Sequence, residues 1–153
     1  MVKGPKFDKK YFSSFWRKGD RRRFHPIYDF RVWYIRRFLK PKNLLDVGCG
    51  RGWIIKDLRR RKIAAWGMDI SEAALSAVPQ DIRKYCFIGN IKKIPVKDKA
   101  YDVVSCIDVL EHIPKEDLSV AIRERARVAE MPWVSNGESG EVLFYPFCIM
   151  VFL

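Results

Sequence analysis

The chain has 153 residues, 48% of them hydrophobic, enough for one domain with a substantial core. Its formal charge of +12 is unevenly spread: residues 1–62 hold 20 Lys/Arg against 5 Asp/Glu, whereas residues 63–153 hold 10 against 13. The longest apolar run, "VLFYPFCIMVFL", is twelve residues broken by Pro146, which excludes it as a bilayer span.

In chain order, the opening "MVKGPKFDKKYF" lacks the apolar stretch of a secretory signal, and residues 1–42 read as a basic helical segment. Within it, "PIYDFRVWYIRRFLKP" sets Tyr28, Val32, Ile35 and Leu39 at helical spacing with arginines on the other face, and Pro41 closes the helix. "NLLDVG" then predicts a buried strand, and "WIIKDLRRRK" a helix with Ile54, Ile55 and Leu58 inward. Arg59 to Lys62 fall where a helix C-terminus favours cations. "IAAWGMDI" predicts a second strand, and Ser71 caps a short helix running through Leu75 and Val78. "YCFIGN" and "YDVVSCID" predict a third and a fourth strand. Pro114 opens a last helix with Leu118, Ala121, Ile122 and Val128 on one face. Apolar strands alternating with helices predict a doubly wound α/β fold with a mostly parallel sheet covered on both faces.

Gly48, Gly50 and Gly52 follow the first strand at its carboxyl end, where ligands of such sheets bind. Glycine permits positive φ and lets a ligand approach without a Cβ in the way. A P-loop needs G-K-S/T, which is absent. A dinucleotide turn needs G-x-G-x-x-G, whereas "GCGRG" brings the third glycine one residue early. Asp46 just before the turn is ill placed for a pyrophosphate and suits a cationic group such as an α-ammonium. Asp69 lies 21 residues after Gly48, where an acid accepts bonds from ribose hydroxyls. Together these features call for a ribose joined to a positively charged, phosphate-free group.

In order and spacing, "LLDVGCGRG", "WGMDIS", "GNI" and "YDVVSCIDVLEHI" resemble the successive motifs of class I S-adenosylmethionine-dependent methyltransferases, over roughly residues 43–128. The resemblance implies a Rossmann-like fold, S-adenosyl-L-methionine as cofactor, and an S-adenosylmethionine-binding domain over residues 43–153. It implies that Asp46, Gly48, Cys49 and Gly50 wrap the methionine part and that Asp69 holds the ribose. Ile70 would pack on the adenine, with Asn90 and Ile91 at its edge. The family often has aspartate where Asn90 stands, and an asparagine there can still accept and donate. Ile107 and Asp108 would lie near the methyl donor. Several residues keep a second reading. Gly52 serves either the ligand or close helix–strand packing, Asn90 a turn, and Cys49 small filling. Asp108 and His112 are the catalytic candidates, although His112 equally suits orienting its loop. Tyr11, Phe12 and Trp16 would either close over the cofactor or cover the sheet.

The implied reaction is in-line methyl transfer to a substrate nucleophile, in which positioning carries much of the catalysis and no metal is required. "CIDV" lacks the N-P-P-Y or D-P-P-Y pattern of amino-methylating nucleic-acid enzymes, and no proline precedes Cys106 as cytosine-5 methylation would need. A small-molecule, lipid, protein or RNA acceptor stays open. The basic half either steers an anionic partner such as RNA or is a solvated surface. Cys49, Cys86, Cys106 and Cys148 show no CxxC spacing, so reduced thiols in a cytoplasmic protein are expected, with no zinc and no membrane role. After "AIRERARV" the resemblance fails, because about 25 residues remain where the family adds a fifth strand, a helix and two more strands. "GEVLFYPF" can supply the fifth strand, and the apolar end would be buried as sheet or in a homodimer contact. An inactive or truncated cofactor-binding domain working through a partner chain is the alternative, with an NAD-type Rossmann domain behind it.

Overall fold

Residues 26–130 and the short strand at 151–152 are described by the computed structural model. Helix α1, Pro26–Tyr34, runs directly into a π-helical turn, Ile35–Leu39. Lys40 ends that turn in the left-handed region (φ 45°), its N–H donating to the Ile35 carbonyl at 2.9 Å. Pro41 follows and cannot extend the helix. Val32, Ile35 and Leu39 are buried, as their spacing predicts. The expectation that the arginines take the opposite face needs correction: Arg31 is buried. It lies three residues from Tyr28 and four from Ile35, and so shares the apolar stripe.

The sheet has the order β3-β2-β1-β4-β5. Its strands are β1 Asn43–Val47, β2 Ala64–Asp69, β3 Cys86–Ile88, β4 Val103–Cys106 and β5 Val151–Phe152. The first four pair in parallel, and β5 pairs antiparallel to β4. This is the doubly wound, mostly parallel α/β architecture expected. The expected strand in "GEVLFYPF" lies outside the described residues, and the strand that flanks β4 comes a few residues later.

Side chains alternate across the sheet with a period of two. Leu44 and Val103 join one core with Val32, Ile35, Leu39 and, from helix α2 (Trp53–Arg60), Ile54, Ile55 and Leu58. Leu45 and Val104 join the opposite core with Met68, Ile94 and Val128 of helix α5 (Lys115–Val128). Both faces are therefore covered, which is why the strands read as unbroken apolar runs. Each fully buried leucine or isoleucine contributes about 1.5–3 kcal/mol.

Between β2 and β3 the expected single helix is two: α3, Glu72–Ser76, and α4, Gln80–Arg83. Ser71 caps α3 as expected, its Oγ accepting from the Ala74 N–H at 3.2 Å. Pro79 breaks the run, and Val78 is buried at the junction. On α5 the expected apolar face also holds Arg125, which is only 1% exposed.

Candidate functional site

From β1 the chain crosses to β2 and β3 on one side, then returns to β4 on the other. The reversal point thus lies between the carboxyl ends of β1 and β4, where open sheets of this kind take ligands. The glycine turn spans this point. Gly48, Gly50 and Gly52 all have positive φ, at 80°, 54° and 72°. The turn is tied to β2, because the N–H groups of Gly48 and Cys49 both donate to the Met68 carbonyl, at 2.7 and 3.1 Å.

The three glycines do different work. A Cβ on Gly50 would meet nothing within 4 Å, so this position faces open space. A Cβ on Gly52 would come within 2.9 Å of Ile82 Cδ1 and 3.5 Å of Val78 Cγ1, which makes it a packing glycine. A Cβ on Gly48 would collide with Val109 Cγ2 in the loop after β4. Cys49 is buried, and its Sγ would lie 2.6 Å from a Cβ placed on Gly67. A hydrogen bond with the Cys86 thiol, then burial, pushes the Cys49 thiol up, which leaves it a packing group.

Asp69 ends β2 and points to the turn. Its Oδ2 accepts from the Gly50 N–H and its Oδ1 from the Ser71 N–H, both at 2.8 Å. Burial raises the carboxyl above its usual range, while backbone N–H bonds from Ser71, Gly50 and Ile70 pull it back. Beside it Ile70 and Ile88 are exposed at 58% and 49%, an uncovered apolar rim at the sheet end. Asn90 is exposed, and its Oδ1 accepts from the Lys92 N–H at 2.9 Å, so it organises its own turn. Ile91 is half-buried in the core below.

Asp46 sits on the inner side. It is buried, and its Oδ1 accepts from the Ser105 hydroxyl at 2.7 Å across the paired strands β1 and β4. Burial pushes its carboxyl up to about 7, against the Ser105 bond and the nearby Arg31 charge, with Asp69 and Asp108 adding to the rise. Ile107 is buried after β4, and Asp108 follows with a positive φ of 55°. Arg31 Nη2 donates to both oxygens of Asp108, at 3.2 and 3.0 Å, tying α1 to the loop after β4. His112 is exposed on the 3₁₀ turn Leu110–His112. Tyr11, Phe12 and Trp16 lie outside the described residues.

Two residues of this site escaped the sequence reading, Arg31 and Ser105. The first was detectable as a lone cation on the apolar stripe. The second follows only from strand register, because Ser105 is the β4 partner of Asp46.

The methyltransferase domain family matches residues 45–131, more than half of the chain. The chain belongs to the class I S-adenosylmethionine-dependent methyltransferases. It is 31% identical over 115 residues to a ubiquinone biosynthesis O-methyltransferase of Nitrosomonas europaea, a match covering 69% of this chain and 48% of that protein. A protein of the same description from Alkalilimnicola ehrlichii is 30% identical over 122 residues, 74% and 49% of the two chains. The chain thus spans about half the length of these curated relatives. Among solved structures, magnesium protoporphyrin IX methyltransferase from Synechocystis PCC 6803, with S-adenosylhomocysteine bound, superposes with a TM-score of 0.58 at 27% identity, covering 69% of this chain and 51% of that one. A protein from Pyrococcus horikoshii OT3 shares the fold at a TM-score of 0.59 and 24% identity, with 67% and 53% covered.

S-adenosylmethionine is accordingly the cofactor class of this methyltransferase domain, and the residues present fit it. There is open space at Gly50, a backbone-held carboxylate at Asp69, an apolar rim, and a buried acid at Asp46 whose ionised form burial disfavours. Among the described residues no helix is long and apolar enough to cross a membrane.

Proposed function

We propose that this chain is an active methyltransferase domain that passes a methyl group to a hydroxyl of a small organic acceptor. The observation that carries this reading is the Asp69 carboxylate, held by backbone N–H groups, Gly50 and Ser71 among them, beside the open space at Gly50. A carboxylate has about four acceptor sites, so acceptor capacity is left for a ribose hydroxyl. In the same reading Ile70 packs on the adenine, and Asn90 and Ile91 meet its edge. Asp46 and the backbone of Gly48, Cys49 and Gly50 surround the methionine part, and Ile107 and Asp108 border the methyl-donor end.

Bound S-adenosylmethionine supplies an electrophilic methyl on a positively charged sulfur. What the chain contributes is placement and charge. The Asp46 carboxylate favours a cation at the inner end of the pocket, and the buried apolar groups around it exclude water and strengthen that attraction. Arg31 holds Asp108 in one orientation, which keeps the acceptor side of the pocket shaped for in-line approach. Asp108 and His112 are the candidates for taking the acceptor proton. Oxygen as the acceptor atom draws support from the O-methyltransferase descriptions of the relatives.

Calorimetry with S-adenosylmethionine, S-adenosylhomocysteine and NAD tests the first half of this reading. The first two ligands are expected to bind and NAD is not. Transfer of a labelled methyl group to a panel of small phenols and alcohols tests the second half. Binding of NAD alone would sink the proposal, and cofactor binding with no transfer to any hydroxyl would remove the acceptor class.

A further inference from the structure

The outer face of α1 carries a feature that methyl transfer leaves unused. Phe30, Trp33 and Phe38 are exposed at 42%, 48% and 55%. They form one cluster: ring centroids lie 5.6 Å apart for Phe30 and Trp33, 5.4 Å for Trp33 and Phe38, and 5.0 Å for Tyr34 and Phe38. In an uninterrupted α-helix, residues five apart point about 140° away from each other. The wider π-helical turn is therefore what swings Phe38 against Trp33, and such turns are frequent at functional sites. Arg36, Arg37 and Lys40 are exposed on the same turns, with the Arg37 guanidinium 5.6 Å from the Phe38 ring centroid.

An exposed aromatic cluster of this kind marks an interaction surface, and its chemistry selects among occupants. Successive bases of single-stranded RNA need open, parallel ring faces, whereas Trp33 and Phe38 meet edge to face at 80°. A second copy docked through a two-fold axis would set the arginines and Lys40 against their own images. An anionic bilayer interface takes both components, with rings settling at headgroup level and cations on the phosphates.

We propose that this face of α1 seats the protein peripherally on an anionic lipid surface. The inner face of the same helix sends Arg31 to Asp108 at the mouth of the candidate pocket. Docking of the outer face would hold the helix that borders the pocket at the lipid layer, within reach of an acceptor that is a lipophilic hydroxyl compound. The acceptor clause rests on the methyltransferase reading, whereas the docking itself does not.

Co-sedimentation of the full chain with phosphatidylcholine vesicles, with and without phosphatidylglycerol, tests docking separately from cofactor calorimetry. Binding is expected only with the anionic lipid and should weaken with salt. Arg36→Ser with Arg37→Ser, and separately Trp33→Ser with Phe38→Ser, should each reduce binding about tenfold or more while cofactor affinity stays unchanged. Equal binding to neutral and anionic vesicles, no binding, or variants that bind as the parent does would overturn the proposal. So would preferential capture of a single-stranded RNA oligonucleotide, or self-association that the aromatic variant abolishes. In any of these cases intact cofactor binding leaves the methyltransferase reading standing.

Discussion

Asp46 is held in a state that its own burial disfavours, and the shift from an ordinary 3.8 to about 7 corresponds to roughly 4 kcal/mol. The sign is that of an acid whose folded pKa is raised. The cost is absent below about pH 4, grows as pH rises toward 7, and is present in full above that. Asp46→Asn should therefore raise the melting temperature of the ligand-free protein at about pH 8 and leave it unchanged at about pH 4. The same carboxylate attracts a cationic ligand only when ionised. Affinity for S-adenosylmethionine should thus rise with pH up to about 7 and then level off, and in Asp46→Asn it should be weaker and flat with pH. Thermal melts and calorimetry across that range check both, and a variant that binds as tightly as the parent at every pH would remove Asp46 from the site. Asp69 differs, because its backbone N–H bonds offset part of its burial. Asp69→Ala should weaken cofactor binding at least tenfold through loss of a charge-assisted bond to the ribose, each worth roughly 1.5–3 kcal/mol. Unchanged affinity with an intact fold would show that Asp69 does not hold the ribose.

Among the elements, the segment after β3 is tied to α5 by several side chains: Asp117 pairs with Lys92, Glu124 accepts from the Ile94 N–H, and Arg127 makes the largest set of bonds. Arg127 donates to the carbonyls of Ile94 and Val96, both at 2.9 Å, and pairs with Glu124 and Asp98. Lysine has no planar fork with which to make these bonds at once. Arg127→Lys should cost about 1–3 kcal/mol and lower the melting temperature by several degrees. It should also loosen the loop that carries Asn90 and Ile91, which a fall in cofactor affinity would report. A melt identical to the parent's would show that the network is worth no more than a surface ion pair. Much at this scale was legible in the sequence. The four parallel strands and the Ser71 cap follow from apolar runs and turn residues, because local composition decides them. The π-helical turn does not, since the spacing of Val32, Ile35 and Leu39 is compatible with an uninterrupted α-helix. Nor was it legible that Arg31 and Arg125 would be buried, because composition treats an arginine as a surface residue while tertiary pairing decides otherwise. Arg125 lies against the Cys106 thiol, and burial lowers its pKa. Asp46 and Asp69 were legible because a carboxylate at a strand end has little structural reason to be there. Ser105 was not, because register is set by the whole sheet.

At the scale of the whole molecule, β4 lies next to the outer strand, and its burial is what shields the inner pocket. The antiparallel pairing sets Ser105 opposite Val151 and Val104 opposite Phe152. Ser105 is the same residue whose hydroxyl donates to Asp46, so the strand that pairs with the sheet edge also contributes to the floor of the site. An unpaired edge would present backbone N–H and C=O groups to any other chain, and Val103, Val104 and Cys106 would add apolar surface. The apolar segment from Val142 onward is rich in the residues that cover such edges, although its contacts outside Val151–Phe152 lie beyond the described residues. Removal of residues 142–153 should bare β4 and drive aggregation or edge-to-edge association, visible as a shift in size-exclusion elution. Water reaching Ser105 would also relieve the burial of Asp46, so any soluble fraction should lose the pH dependence of cofactor binding between about pH 5 and 7. If the shortened chain is a stable monomer with the parent's affinity and pH profile, the pairing of β5 with β4 contributes neither to solubility nor to the site.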